Sequence, residues 1–224
     1  MTNLVQRLSG IDARIAAALE GCGRTGDEIT RIVVTKFHPA QLVRDLYDLG
    51  VRDFGENRDQ EAAPKAEELE DLDCRWHFIG QLQSNKAKSV VRYARSIHSL
   101  DRLSLLDSLA KVTADRVTPL DVFIQMNLTQ DENRGGISSA DLLGFAERVS
   151  QVSSLRLRGV MAVASLDGEE ERDFEQVANA SELLRQQYPD ANSISAGMSG
   201  DFELALTYGA THLRIGTAIT GNRG

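Results

Sequence analysis

The chain has 224 residues, 42% of them hydrophobic and 26% charged, with a formal net charge of -8. This is the composition of a globular protein with a sizeable core, and its acidity disfavours nonspecific binding to nucleic acid or anionic membrane. No apolar run approaches the ~18 residues of a bilayer span, the N-terminus lacks a signal peptide's basic-then-apolar order, and Cys22 and Cys74 show no metal-ligand spacing, which points to a reducing cytoplasm.

Residues 3–20 place Leu4, Leu8, Ile11, Ile15 and Leu19 on one stripe, the pattern of an amphipathic helix, and Gly21 and Gly23 end it. The first strand is Arg31 to Lys36, in which Ile32, Val33 and Val34 form a β-branched apolar run. Pro39 opens the next helix, which carries Leu42, Val43, Leu46 and Leu49 and stops at Gly50. A second strand, Val51 to Phe54, leads through Gly55-Glu56-Asn57 into a polar helix over roughly residues 57–70. The third strand is Trp76 to Ile79. After it, Ser84 or Asn85 is placed to cap a basic helix from Lys86 to Ala94.

Ser96 to Ser99 reads as a weak fourth strand, followed by a helix over 101–114 with Leu103, Leu106 and Leu109 or Ala110 inward. The fifth strand, Leu120 to Met126, is the clearest, and it ends at Asn127. A polar loop over 128–136 precedes a helix marked by Leu142, Leu143, Phe145, Ala146 and Val149. Strand six is Leu157 to Val163. Its helix, 169–187, opens on Glu169-Glu170-Glu171, a charge run suited to a helix N-terminus. Strand seven is Ser193 to Ser195, followed by Ala196 to Asp201 and a helix to Tyr208. Strand eight is His212 to Ile215, ending in Gly216-Thr217. Short strands alternating with helices imply a parallel sheet, and eight such units predict a single-domain (β/α)8 barrel with an extra N-terminal helix. An open doubly wound sheet is the other arrangement, but no GxGxxG follows the first strand.

Barrel active sites lie at the C-terminal ends of the strands. Lys36 occupies that place on strand one. A lysine there either snorkels to solvent or, desolvated, presents the free amine that attacks carbonyls. Asn57, His77, Asn127 and Met161 stand at or near strand ends, and for His77 and Met161 the packed-core reading is the better one. The loops after strands seven and eight are the sharper signal, because barrels frequently bind phosphate there through backbone N–H groups. Met198-Ser199-Gly200-Asp201 and Gly216-Thr217 each offer a hydroxyl and a glycine. A lysine amine beside a phosphate cradle suits an aldehyde that carries a phosphate, and pyridoxal 5'-phosphate meets both requirements. Arg214, on strand eight, then faces the pyridine nitrogen. A guanidinium only donates hydrogen bonds, so that nitrogen stays unprotonated and the ring is a weak electron sink.

Val34-Thr35-Lys36, Phe54-Gly55-Glu56-Asn57, Trp76 through Lys86, His98 through Asp101, Gly197 through Glu203 and Arg214-Ile215-Gly216-Thr217 resemble the pyridoxal-phosphate homeostasis protein family. This family (the YggS/PROSC type) is related to the N-terminal barrel of bacterial alanine racemase. The resemblance spans nearly the whole chain. It implies a barrel with pyridoxal phosphate held as a Schiff base on Lys36. It also implies phosphate contacts from Ser199, Gly200, Gly216 and Thr217, and Arg214 at the ring nitrogen. Members are regarded as carriers or regulators of the vitamin B6 pool and of amino-acid and keto-acid balance, without an established turnover. The partners implied are pyridoxal phosphate and the apoenzymes or amino and keto acids that meet it. Phe37-His38 departs from the threonine- or lysine-bearing pair common beside the lysine.

Two enzyme readings stand beside the homeostatic one. A racemase needs a second base opposite the lysine, and the tyrosine that serves in alanine racemase comes from a C-terminal β domain. The chain runs only to Gly224, soon after Gly216-Thr217, which leaves that base without a place and favours a monomer. A Schiff-base aldolase on the same barrel predicts a colourless protein, whereas bound pyridoxal phosphate is yellow.

Overall fold

The computed structural model describes residues 2–129, 135–165 and 168–221. Eight parallel strands close into a barrel in chain order, with β1 (Thr30–Val34) pairing β8 (His212–Ile215). Between them stand β2 (Asp53–Glu56), β3 (Arg75–Phe78), β4 (Ala94–Leu100), β5 (Leu120–Gln125), β6 (Leu155–Met161) and β7 (Ser193–Ser195). The connecting helices are α2 (Ala40–Asp48), α3 (Asp59–Glu68), α4 (Ala87–Val90), α5 (Leu103–Thr113), α6 (Leu142–Ser150), α7 (Glu170–Gln187) and α8 (Phe202–Thr207). The (β/α)8 expectation therefore holds.

The extra helix is α1 (Thr2–Gly21), and all five residues of its predicted stripe, Leu4, Leu8, Ile11, Ile15 and Leu19, are buried. It packs on α8 and on a one-turn helix after β8, α9 (Thr217–Thr220). Polar clasps add to that contact. Arg7 Nε donates to the Ile219 carbonyl at 2.6 Å, and Arg14 pairs with Glu203 while its guanidinium lies 4.6 Å from the Phe202 ring centroid.

Several element boundaries differ from the sequence reading, and tertiary pairing is the reason in each case. The basic helix expected over 86–94 is a 3-10 turn at Ser84–Lys86 and the single turn α4, with no side-chain cap from Ser84 or Asn85. Ala94 pairs with Trp76 instead, so the fourth strand has seven residues rather than a weak four. The β-branched pair Val90-Val91 weakens the helix, and pairing to β3 decides the rest. The second strand runs on through Gly55, where a Cβ would stand 2.9 Å from Ile32 Cγ2, while Val51 closes the turn after α2 by donating to Leu46 O. Strand six begins two residues early. Its Gly159 has φ 149°, and a Cβ there would lie 1.8 Å from the Ser193 carbonyl oxygen, so only glycine lets β7 approach. Leu103 is 47% exposed because the buried stripe of α5 runs through Leu105, Leu106, Leu109 and Thr113. The loop expected over 128–136 lies partly outside the described residues.

Candidate functional site

Lys36 follows β1 by two residues and is half-buried, and its amine has no hydrogen-bond or ion-pair partner among the described residues. Both of its neighbours are pinned from elsewhere. The Thr35 hydroxyl donates to Glu56 Oε1 at 2.7 Å, and Lys65 Nζ donates both to that oxygen at 2.5 Å and to the Thr35 carbonyl at 3.0 Å. On the other side Phe37 has φ 65°, a left-handed conformation costing about 1–3 kcal/mol for a bulky residue. Its N–H donates to Glu61 Oε2 at 3.0 Å, and the Arg58 guanidinium lies 5.0 Å from its ring centroid. Thus α3 grips the lysine's turn on both sides, and the strained residue stands immediately after the proposed attachment point. Burial raises the Glu56 carboxyl above its ordinary value, with Lys65 opposing the shift.

Sequence reasoning missed Glu56 and Lys65. The available signal was that Lys65 falls on the apolar stripe of α3, with Ala62, Ala66 and Leu69.

Asn57 follows β2 at the same end of the barrel. Its Oδ1 is buried without a hydrogen-bond partner among the described residues, an acceptor that a ligand donor could meet. Gly80 presses on its backbone so closely that a Cβ would lie 2.1 Å from the Asn57 carbonyl oxygen.

The loops after β7 and β8 are tied to each other. Ser199 Oγ accepts from the N–H of Gly216 at 3.2 Å and of Ala218 at 3.4 Å. The backbone N–H groups of Ser199, Gly200 and Thr217 have no acceptor among the described residues. Asp201 Oδ1 accepts from Met198 N–H at 2.5 Å and turns the first loop. Gly197, with φ 91°, lets that loop lie on α8, since a Cβ would stand 2.8 Å from Ala205 Cβ. Gly216 lies against Val34, so this loop pair and the Lys36 turn share one stretch of rim. The arrangement offers several backbone donors, an exposed Thr217 and an exposed Gly200 to an anion.

Arg214 rises from β8 into the barrel and is 4% exposed. Its Nη1 donates to the Ser195 carbonyl at 2.7 Å and to Ser195 Oγ at 2.8 Å, and Nη2 donates to the Ala162 carbonyl at 2.7 Å. Three of a guanidinium's five N–H donors are thereby used. Burial lowers its pKa to about 10, with Asp201 opposing, so the group stays cationic at neutral pH.

Asn127 and Met161 line a cavity of about 310 Å³ at the ends of β3, β5 and β6, together with Ile79, Gln81 and Gln125. Asn57, Glu61 and Gln81 line a second cavity of about 470 Å³. His77 is not at this rim. Its ring sits inside the barrel, with Nε2 2.9 Å from Asp53 at the start of β2, in keeping with the packed-core reading.

Residues 30–224 match the family model described as alanine racemase, N-terminal domain. The pyridoxal phosphate homeostasis protein of Escherichia coli (strain K12) is 38% identical over 229 residues, covering 100% of this chain and 98% of that protein. The protein of the same name from Pseudomonas aeruginosa is 38% identical over 223 residues, covering 100% and 97%. Among solved structures, PipY of Synechococcus elongatus PCC7942 with pyridoxal phosphate bound superposes with a TM-score of 0.85 at 34% identity, over 97% of this chain and 100% of that one. Alanine racemase from Corynebacterium glutamicum shares the fold alone, with a TM-score of 0.69 at 13% identity over 94% of this chain and 61% of that one. With full-length relatives above one-third identity and a family model over most of its length, the chain belongs to the pyridoxal phosphate homeostasis protein family, on the barrel of the alanine racemase N-terminal domain.

Proposed function

We propose that this protein binds pyridoxal 5'-phosphate, attached through the Lys36 amine, and acts in cytoplasmic pyridoxal-phosphate homeostasis rather than as an efficient enzyme. The observation that carries the reading is the pair of loops joined by Ser199 beside the Lys36 turn, with backbone donors at Ser199, Gly200 and Thr217 free to meet a phosphate. The homeostasis name of the full-length relatives and the cofactor bound to PipY support the choice of ligand. When bound, the cofactor supplies an aldehyde that condenses with a primary amine and a ring that can draw electron density from the product. This chain's residues would divide the work. Lys36 supplies the amine, and Ser199, Gly200, Gly216 and Thr217 hold the phosphate. Asn57 offers its free oxygen at the rim. Arg214, a cation that only donates, keeps the ring nitrogen unprotonated and so restrains carbanion chemistry. The partners we propose are enzymes that receive the cofactor and the amino or keto acids that compete for it. A monomer fits the scatter of exposed apolar side chains, Val5 on α1, Leu103 on α5 and Leu183 on α7, over separate elements.

The test is the visible spectrum of purified protein before and after borohydride, with peptide mapping of the reduced product. Wild type should be yellow and carry the label on Lys36, while Lys36→Ala should fold and stay unlabelled. A label on another lysine defeats the assignment. Incubation with L-alanine in deuterated water separates carrier from enzyme. Exchange of the α-proton at ~1 s⁻¹ or faster, abolished in Lys36→Ala, would establish turnover.

The phosphate loops make a separate prediction. A hydrogen bond to a charged group contributes about 1.5–3 kcal/mol, so Ser199→Ala or Thr217→Val should weaken pyridoxal phosphate binding roughly tenfold or more. Pyridoxal, which lacks the phosphate, should be indifferent to both changes. Equal losses for the two ligands in a titration would remove these loops from the site.

A further inference from the structure

A line of buried polar groups crosses the barrel interior from Arg214 to the opposite mouth. Ser195 Oγ lies 2.8 Å from Arg214 Nη1 and 2.8 Å from His98 Nδ1. His98 Nε2 lies 3.0 Å from Ser96 Oγ, which lies 2.7 Å from His77 Nδ1. His77 Nε2 lies 2.9 Å from Asp53 Oδ1. The line starts at the last residue of β7 and ends at the first residue of β2. In a parallel barrel those two positions are at opposite mouths.

We propose that Ser195 and His98 are positioning residues for Arg214, and that Ser195, His98, Ser96, His77 and Asp53 form one hydrogen-bond relay with a fixed direction. The direction follows from its two ends. A guanidinium only donates and a carboxylate only accepts. Ser195 Oγ accepts from Arg214 and, where His98 accepts at Nδ1, gives its single proton to that nitrogen. His98, accepting at Nδ1, carries its proton on Nε2 and donates it to Ser96. Ser96 passes its own proton to His77 Nδ1, which leaves His77 with the proton on Nε2, donated to Asp53. The Asp53 end sets this direction: a neutral His77 that donates to Asp53 from Nε2 must accept at Nδ1, which lies within reach of both Ser96 Oγ and His98 Nε2, and Ser96 and then His98 follow in turn.

The surroundings agree with this assignment. His98 is fully buried, with its ring stacked 4.2 Å from Phe123. Burial, aided by His77, His212 and Arg214, holds its pKa well below the usual histidine value, so it is neutral. Burial alone would raise the Asp53 carboxyl, but the hydrogen bonds from His77 and Arg75 and the charge of Arg75 hold it below its ordinary value, so it is ionised. Hydrogen-bond chains of one direction strengthen each link, and the guanidinium plane is then fixed by Ala162 on one side and by the relay on the other. A buried cation with no carboxylate in contact among the described residues needs such support.

The inference deepens the reading of Arg214 as the residue facing the ring nitrogen, and it rests on that reading only for its effect on the cofactor. Nitrogen-15 NMR of the histidine rings in cofactor-free protein at pH 7 tests the relay by itself. Wild type should show His77 and His98 neutral, each with the proton on Nε2. Ser195→Ala should abolish the single tautomer at His98, and Ser195→Thr should restore it. A proton on His98 Nδ1 in wild type, or a cationic His77, overturns the relay. The positioning role is tested by titration with pyridoxal phosphate and by the absorbance of the bound cofactor. Ser195→Ala should weaken binding about tenfold and shift the absorbance, and Ser195→Thr should recover both. An intact relay with unchanged binding and absorbance in Ser195→Ala overturns the role while leaving the proposed function standing. If wild type binds no pyridoxal phosphate, that proposed function fails, whereas the tautomer measurement still decides the relay.

Discussion

Lys65→Met should lower the stability of the protein by about 3–5 kcal/mol, the range for removing one partner of a buried ion pair. Lys65 and Glu56 are 7% and 1% exposed and meet at 2.5 Å. Neither charge has water to fall back on. Without Lys65, the Glu56 carboxylate keeps, among the described residues, only the Thr35 hydroxyl, while its other oxygen is already buried with no partner among them. Glu56 then favours the protonated form, since burial has raised its pKa even with the lysine present. A carboxyl whose folded pKa is raised contributes more at low pH, so the deficit of Lys65→Met should shrink as the pH falls from 7.5 toward 5. Glu56→Gln combined with Lys65→Met removes both charges and should regain much of the loss. Urea denaturation of wild type and of both variants checks this. A loss below ~1 kcal/mol for Lys65→Met at pH 7.5 would mean that the pair is not a structural element. The same substitution frees the Thr35 carbonyl, so a looser Lys36 turn should accompany the lost stability.

Acid should destabilise the protein well before its carboxylates titrate. His98 and His212 are held neutral by burial, the first with a pKa well below the ordinary value and the second with one of about 3. In the unfolded chain both take a proton near pH 6.5. Below that pH the unfolded state binds more protons than the native one, so stability falls with pH, by about 1.4 kcal/mol per unit for each histidine once past the unfolded value. For His212 the loss runs from about pH 6.5 down to about 3. By pH 4.5 His212 alone removes about 2.7 kcal/mol, a large share of the stability of many domains, and His98 adds a loss of the same sign. Denaturation curves at pH 7.5, 6.5, 5.5 and 4.5 should show this slope, and His212→Gln should roughly halve it. A flat profile between pH 6.5 and 4.5 would contradict the neutral assignment of both rings.

The alternation of strand and helix was legible because each element carries its own periodicity. The long helix of α7 and the strands β7 and β8 match their predicted bounds to within a residue. Short elements were less legible, since their limits are set by neighbours. Gly55 looks like a turn residue but lies inside a strand, where a side chain would press on Ile32 of the neighbouring strand. At the candidate site, the places of Lys36, Ser199, Gly200, Gly216 and Thr217 after strands were legible, and the structure ties the two loops that carry the last four through the Ser199 hydroxyl. The supporting groups were not readable. His98 and Ser195 are 97 residues apart in the chain, and nothing local in either marks the other as its partner.

The clasp between Arg7 and Ile219 joins residues 212 positions apart, which bears on how the protein is made. The apolar face of α1 leaves the ribosome well before the α8 and α9 surfaces that cover it, which lie some two hundred residues on. At elongation rates of about 5–20 residues per second, that face waits on the order of ten to forty seconds without its native cover. Nascent chains should therefore present an unshielded amphipathic helix to chaperones throughout synthesis. The stretch from β8 into α9 closes the barrel, shelters the helix and brings Gly216 and Ala218 to Ser199, so a chain stalled before β8 lacks barrel closure and anion cradle together.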